Sequence, residues 1–288
     1  MRYAIVANPV SGKMTIDQKR SVLARAADIL NAEIHGLDTT TSDEFRQCAR
    51  ELAMGYDVLV TAGGDGTISD VINSVDTTQT PVAYLPLGTG NSMRYALGYR
   101  GSLAGISKRI RDGKIREYDL ISCDEKRRAF MTSIGIDGTV IQLRDRYLSQ
   151  GVTGFRAYLQ STLKAYFRVY KRVVAQVTVD EKRFEIQDLL SLMVVKQPYY
   201  GYAMKIVPGA RLDDGQLHLL CLNSGLFMSL FGGITAFTIG NRVGEYHTGR
   251  RVAVELERPL VQQIDGSEAR VADSFTFRVL PNALKLKC

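Results

Sequence analysis

Apolar and polar positions follow two different rhythms along this chain, and the rhythm changes near residue 117. In the first part, short apolar runs are each followed by apolar residues at helical spacing. Arg2 to Ala7 reads as an opening strand. Val22, Leu23, Ala26, Ala27, Ile29 and Leu30 then mark the inner side of a helix. Tyr56 to Ala62 reads as a second strand, and Ile68, Val71, Ile72 and Val75 mark a second helix. Val82 to Leu85 leads in the same way into a helix beginning near Met93. Strands alternating with helices predict a parallel sheet with crossover helices. The second part is a series of short β-rich runs: 117–123, 129–133, 173–179, 189–195, 216–222, 251–256, 260–264 and 274–280. Only 151–172 and 226–241 read as helix there. The expected fold is a Rossmann-like parallel α/β domain over residues 1–116. An antiparallel β-sandwich or barrel with a helical insertion is expected over 117–288.

Each strand-to-helix turn of the first part is rich in small and polar residues. The second reads Gly63-Gly64-Asp65-Gly66-Thr67. Its glycines let the backbone approach a ligand closely. The helix start behind them offers unpaired N–H groups and a partial positive charge. Such a turn suits a polyphosphate, and Asp65 suits a Mg²⁺ ion or a proton in transit beside it. The first turn, Asn8-Pro9-Val10-Ser11-Gly12-Lys13, brings a lysine to a helix start. It is not a Walker A loop, because Ala7 and Met14 stand where Gly and Ser or Thr are required. The third turn runs Pro86-Leu87-Gly88-Thr89-Gly90-Asn91-Ser92. Open α/β sheets bind ligands at the carboxyl ends of their strands, so the three turns are expected to line one crevice.

Composition narrows the partners. A hydrophobic share of 45% supports a full core. No run reaches the roughly 18 apolar residues of a membrane span. Strand pattern begins at once, without a signal-like segment, so a cytoplasmic protein is expected. Cys48, Cys123, Cys221 and Cys288 are scattered, as are His35, His218 and His247, which argues against a disulfide frame or a zinc site. The net charge is +7 and unevenly spread. Residues 141–172 hold Arg144, Arg146, Arg156, Lys164, Arg168, Lys171 and Arg172 against Asp145 alone. Phe155, Tyr158, Leu159, Leu163, Tyr166, Phe167 and Tyr170 recur there at helical spacing. Contact with an anionic membrane face and a core-packed helix with a solvated basic side both fit that pattern. No nucleic-acid-reading motif accompanies the charge, so nucleic acid is not an expected partner.

The turns also carry a family resemblance. Its elements are Asn8-Pro9 with Ser11-Gly12-Lys13, Gly63 to Thr67 followed by Asp70-Val71-Ile72-Asn73, and Pro86 to Asn91. Gly135-Ile136-Asp137, Pro208 to Gly215 and Ile264-Asp265-Gly266 continue the series. In order and spacing the chain resembles the catalytic region of the diacylglycerol kinase and sphingosine kinase superfamily, in its bacterial lipid-kinase branch. The resemblance implies an NAD-kinase-like nucleotide domain and a β-rich lipid-substrate domain, with a short C-terminal return to the first. It implies transfer of the γ-phosphoryl group of ATP, with Mg²⁺, to a lipid hydroxyl at a membrane surface. Nucleotide contacts are implied for Asn8, Val10, Ser11, Gly12, Lys13, Gly63, Gly64, Asp65, Gly66, Thr67, Gly88, Thr89 and Asn91. A threonine near 40 joins them, and Thr40 is chosen over Thr39 and Thr41. Asp65 would organise Mg²⁺–ATP or take part in proton transfer. A structural Mg²⁺ is implied at Asp214 and the carbonyls of Arg211 and Gln216, since hard oxygen ligands suit that ion. A plain Asp-Gly hairpin turn between Leu212 and Leu217 is the other reading. The oligomeric state is left open, with a homodimer among the options.

Two departures matter. Relatives commonly show Asp-Gly-Glu where this chain reads Asp265-Gly266-Ser267-Glu268, and the glutamate is the usual general base. A serine cannot serve as that base. Either Glu268 reaches in, or Asp265 takes the part, or activity is lost. Ser92 follows Asn91 where diacylglycerol-kinase-like members often carry Asp. That form is closer to sphingosine-kinase-like members, in which an acidic residue meets a sphingoid amine. Asp137 is the candidate for that role, and a turn-stabilising aspartate before Gly138 is the other reading. A soluble-acceptor kinase on the pattern of NAD kinase and a catalytically impaired binding module remain as alternatives.

Overall fold

The computed structural model describes residues 1–152 and 154–288, with the backbone alone at Phe155. Two compact units divide the chain. Met1–Leu120, Tyr199–Ala203 and Pro281–Cys288 form the first, and Ile121–Pro198 with Met204–Leu280 the second.

In the first unit, β1 (Tyr3–Ala7), α1 (Ile16–Leu30), β2 (Ala32–His35), α2 (Ser42–Gly55) and β3 (Val58–Gly63) alternate. They continue as α3 (Asp65–Ser74), β4 (Val82–Pro86), α4 (Ser92–Ala96) and α5 (Leu103–Asp112). The strands pair in parallel in the order β2-β1-β3-β4. Every residue of β1, β3 and β4 is buried. Helices cover both faces of such a sheet, so its strands read as unbroken apolar runs. The helix starts are chemically marked. Thr15 closes a capping box with Gln18 before α1, Thr41 caps α2 and Ser102 caps α5. Pro281–Cys288 returns to this unit: Leu286 pairs in parallel with Val82, Thr77 Oγ1 donates to Ala283 O at 2.6 Å, and Lys287 Nζ donates to Gly113 O at 2.6 Å.

The chain enters the second unit through β5 (Ile115–Cys123), β6 (Arg127–Ala129) and β7 (Met131–Gly135). Next come α6 (Ile136–Ser149), α7 (Gly154–Lys164) and a π-helical turn over Ala165–Val169. The remaining elements of the chain are β8 (Val173–Val179), β9 (Lys182–Leu189), β10 (Ser191–Val195), β11 (Tyr199–Tyr200, in the first unit), β12 (Met204–Lys205), β13 (Leu217–Leu222), α8 (Leu226–Phe237), β14 (Glu245–Gly249), β15 (Arg251–Ile264) and β16 (Ser267–Lys287). Strand pairing within this unit is antiparallel, in the order β14-β13-β10-β7-β15-β16, with β8 and β9 added beside β15. Its core runs from Ile121 through Val177, Leu192 and Leu219 to Val254 and Phe275. The two units are thus the parallel α/β fold and the antiparallel β-sandwich that the pattern predicts.

Three details differ from the sequence reading. The runs 251–256 and 260–264 are one strand, β15, irregular between Glu255 and Leu260. Pro259 lies in that stretch and has no N–H to give, which interrupts the alternation. β15 pairs with β8 on one side of the irregularity and with β7 on the other. The basic segment 141–172 is not one helix. α6 begins directly after β7 at Ile136 and ends at Ser149, and the chain turns through Gly151 at φ 83° before α7. Finally, β9 and β14 carry too many polar residues to be read as strands on their own.

Candidate functional site

The turns that end β1, β3 and β4 lie against one another. Asn8 N donates to Ala62 O at 3.1 Å, and Asn8 Nδ2 donates to Thr67 Oγ1 at 3.2 Å. The amides of Leu87 and Gly88 donate to Gly63 O at 2.8 and 3.1 Å. A methyl group on Gly88 would stand 2.3 Å from Gly64 Cα, and one on Gly12 would stand 2.3 Å from Leu87 O. Only glycine allows three backbones to approach this closely. Lys13, Gly66 and Thr89 lie exposed along the junction. Gly88→Ala is therefore expected to overpack the junction by about 1–3 kcal/mol. The checks are a lowered unfolding midpoint and a raised KM for nucleotide.

Asp65 has a positioning task that the sequence did not reveal. Its Oδ2 accepts from Ser92 N at 2.9 Å and its Oδ1 from Met93 N at 3.1 Å. A residue of the second turn thereby caps the helix behind the third. Each oxygen keeps a further lone pair. Asn91, at φ 47°, closes its own turn. Its Oδ1 accepts from Gly88 N at 3.0 Å and from Tyr84 Oη at 3.1 Å, and its Nδ2 donates to Gly88 O at 2.6 Å. Thr40 faces Glu44, donating from N at 2.7 Å and from Oγ1 at 2.9 Å. Those bonds hold the Glu44 carboxyl below its usual range, the backbone one most strongly. Thr39 Oγ1 donates to Gly36 O at 2.7 Å, and Thr41 caps α2.

Lys19 is a residue that sequence reading missed. Its side chain is fully buried on α1, and Nζ donates to Asn8 O at 3.1 Å and to Pro9 O. Burial pulls its pKa below the ordinary lysine value. It anchors the first turn from below, whereas Lys13 lies exposed at the tip. The signal was available: Lys19 falls four residues before Leu23, on the apolar side of the helix.

The second unit gathers the other carboxylates. Asp265, buried and at φ 47°, accepts from Phe130 N at 3.1 Å and Met131 N at 3.0 Å. Beside it, Gln263 Oε1 accepts from Gly266 N at 2.8 Å, and its Nε2 donates to Ser133 Oγ at 2.9 Å. Glu268 is exposed, and its Oε1 accepts from Gln142 Nε2 on α6 at 2.8 Å. Arg144 Nη2 donates to Gly266 O at 3.1 Å. Asp137, in the first turn of α6, accepts from Ser191 Oγ, and Ser133 also hydrogen-bonds it. Asp137, far in sequence from Asp265 and Glu268, is therefore linked to their turn through α6 and through the Ser133–Gln263 hydrogen bond. Burial raises the Asp137 carboxyl above the ordinary 3.8, against the opposing effect of the two serines. A raised carboxyl contributes stability below 3.8 and loses it as pH climbs through its folded value. Asp137→Asn keeps an acceptor for Ser191 and should match or exceed the parent's stability at pH 7. That advantage should vanish in acid, as read by denaturation midpoints across pH.

At the implied magnesium site, two of the oxygens have a lysine as partner. Lys196 is fully buried, and its Nζ donates to Asp214 Oδ1 at 2.7 Å and to Gln216 O at 2.6 Å. These are two of the three oxygens assigned to the ion. His218 Nε2 lies 2.8 Å from Asp214 Oδ2, and His218 Nδ1 lies 2.5 Å from Tyr246 Oη. Arg211 N also points at Nε2 at 3.2 Å, but the shorter bond to a carboxylate puts the Nε2 proton toward Asp214. Burial lowers the His218 pKa, keeping the ring neutral with Nδ1 accepting from Tyr246. A dication sharing these oxygens would stand roughly 3 Å from the ammonium. The repulsion would be on the order of 10 kcal/mol at an effective dielectric near 20. The donor set of Arg211, Asp214 and Gln216 thus serves a lysine and does not fit Mg²⁺. Among the described residues no group of three His, Cys, Asp or Glu is arranged for a metal.

Comparison with known proteins agrees with the geometry. Residues 2–123 match the diacylglycerol kinase catalytic domain, and residues 131–288 match the YegS C-terminal NAD kinase beta sandwich-like domain. The chain belongs to the diacylglycerol kinase superfamily, in the bacterial branch that joins these two domains. That membership makes it a kinase-family phosphotransferase. It is 25% identical over 280 residues to a diacylglycerol kinase of Staphylococcus saprophyticus, covering 92% of this chain and 88% of that one. It is 24% identical over 276 residues to a diacylglycerol kinase of Bacillus subtilis, covering 92% and 89%. A crystal structure of a diacylglycerol kinase from Bacillus anthracis superposes with a TM-score of 0.71 at 19% identity, covering 99% of this chain and 96% of that one. An NAD kinase from Archaeoglobus fulgidus in complex with ATP superposes with a TM-score of 0.54 at 13% identity, covering 100% and 94%.

Proposed function

We propose that this protein transfers the γ-phosphoryl group of ATP to the hydroxyl of a lipid of the diacylglycerol or sphingoid type. The observation that carries this reading is the junction of the three glycine turns, packed backbone against backbone beside the starts of α3 and α4, with Lys13, Gly66 and Thr89 exposed along it. Residues 1–116 would hold the nucleotide and 117–288 the lipid. Asn8, Val10, Ser11, Gly12, Lys13, Thr40, Gly63, Gly64, Gly66, Thr67, Gly88, Thr89 and Asn91 are the proposed nucleotide contacts. A Mg²⁺ ion carried in with ATP would screen the phosphate oxygens, and the free lone pairs of Asp65 suit it.

An alcohol must lose its proton as it attacks. Asp265 is committed to two strand amides, so its charge is already satisfied. Glu268 has an exposed carboxylate held by one glutamine. We assign the proton-accepting role to Glu268 and a positioning role to Asp265. The test is phosphate transfer from γ-labelled ATP with Mg²⁺ to mixed micelles of diacylglycerol, monoacylglycerol or sphingosine, with NAD as a soluble acceptor. Labelled lipid is the expected product. Glu268→Gln should lower kcat about 10²-fold or more while nucleotide affinity holds. Label appearing on NAD alone would replace the lipid reading with a soluble-acceptor kinase.

A further inference from the structure

Helix α8 is built inside out. Gly232, Thr235 and Ala236 are its buried residues. The large apolar side chains face the other way: Phe227 is 85% exposed, Ile234 65%, and Leu230, Phe231 and Phe237 each at least half. Residues 227, 230, 231, 234 and 237 recur at three- and four-residue steps, so they form one stripe. Ile239, just past the helix, is also exposed. The inner side rests on the loop that follows: a methyl group on Gly232 would meet Asn241 Oδ1 at 2.9 Å. That loop is fixed, with Asn241 N donating to Lys205 O at 2.9 Å. Water is a poor solvent for such a stripe, and a contiguous exposed apolar patch marks an interaction surface.

Charge identifies what covers it. Residues 223–244 hold one charged residue, Arg242, next to the Asn241 that supports Gly232. The α7 segment and its π-helical turn hold Arg156, Lys164, Arg168, Lys171 and Arg172 over residues 154–172, with no acid. They expose Leu163 and Phe167 beside those cations. The two elements are tied together: Arg172 Nη1 donates to Asn223 O at 2.7 Å and Nη2 to Ser224 O at 2.5 Å, just before α8. The described residues pair none of Arg168, Lys171 and Arg242 with a carboxylate. An uncharged apolar stripe, tied through Arg172 to a segment whose Arg168 and Lys171 meet no carboxylate among the described residues, matches a bilayer that is apolar within and anionic at its surface. A second copy of this chain would bring the same cations together and is the poorer fit.

We propose that α8 lies in the interfacial layer of an anionic membrane, its stripe of Phe227, Leu230, Phe231, Ile234 and Phe237 among the acyl chains. Arg168, Lys171 and Arg242 meet the lipid phosphates. The lipid-kinase reading gives this docking its purpose, but the docking is measurable without ATP, so either can fail alone.

The test is co-sedimentation of the full chain, without nucleotide, with phosphatidylcholine vesicles containing or lacking phosphatidylglycerol. Wild type should bind the anionic vesicles, more weakly as salt rises. Phe227→Ser/Phe231→Ser/Ile234→Ser should bind at least about tenfold more weakly while its circular dichroism and unfolding midpoint match the parent. Arg168→Gln/Arg242→Gln should lose the preference for anionic vesicles. Wild type that binds neither vesicle, or a triple variant that binds as wild type does, overturns the proposal. So does sedimentation equilibrium in which wild type is a dimer and the triple variant a monomer with unchanged vesicle binding, because a second copy then covers α8.

Discussion

Asp65→Asn is expected to lower phosphoryl transfer by at least about a hundredfold. The substitution keeps the shape and removes the charge. Its amide can accept from Ser92 N or from Met93 N, but the Nδ2 group then points a donor at the other amide. One end of α4 is left facing a like dipole. The third turn, which Asp65 holds against the second, loses a fixed point. The anionic oxygens proposed to meet Mg²⁺ or a migrating proton disappear in the same change. Loss of preorganised charge of this kind costs roughly 10²–10³ in rate. Measuring kcat and the nucleotide Kd separately divides the two tasks: a positioning loss moves both, and a purely chemical loss moves kcat. Unchanged turnover and affinity would falsify the placement of Asp65 in the site.

Lys196→Met is expected to give the largest loss of stability. It leaves Asp214 Oδ1 and Gln216 O without their ammonium, and Asp214 still carries charge. Breaking a buried ion pair from one side costs roughly 3–5 kcal/mol. Asp214 keeps 24% exposure, which reduces this to about 2–4 kcal/mol, or an unfolding midpoint lower by about 5–12 °C. Wild type should show no midpoint change with a chelator, because lysine already supplies the cation. The variant should recover part of its midpoint when Mg²⁺ is added, since it restores an acceptor set free of competing charge.

The pH response should follow from the same cluster. Burial opposes ionisation of Asp214, but the Lys196 hydrogen bond and charge outweigh it, so its carboxyl falls below the ordinary 3.8. Burial also lowers His218 from 6.5. Both groups are depressed in the fold, so both contribute stability at neutral pH that is lost on acidification. His218 contributes to that loss first, below about 6.5, and Asp214 below about 3.8. In Lys196→Met the acid limb of Asp214 should begin at higher pH.

The three glycine turns were legible because local rules specify them. A strand buried on both faces needs an unbroken apolar run, and a tight backbone junction needs glycine. Both show in the residue types, so β1, β3 and β4 and their turns could be read without a structure. The Asp-Gly turn at Asp214 was also visible, but its partner was not. Lys196 lies in another strand's continuation, and no spacing rule links it to Asp214. The ion expected there is replaced by a lysine that only β10 and β13, paired side by side, bring to the same oxygens. Asp137 is linked to the Asp265–Glu268 turn through β7, β15 and α6 for the same reason.

Sequence by itself determined the parallel and antiparallel halves, the glycine turns and the candidate carboxylates, because each depends on periodicity or on backbone freedom within a few residues. Tertiary structure alone decided that Asp65 caps α4, that Lys19 anchors the first turn, that Lys196 takes the cation position, and that α8 turns its apolar side outward. Those outcomes depend on contacts between segments distant in the chain, and on which face of a helix finds a partner, which composition does not encode.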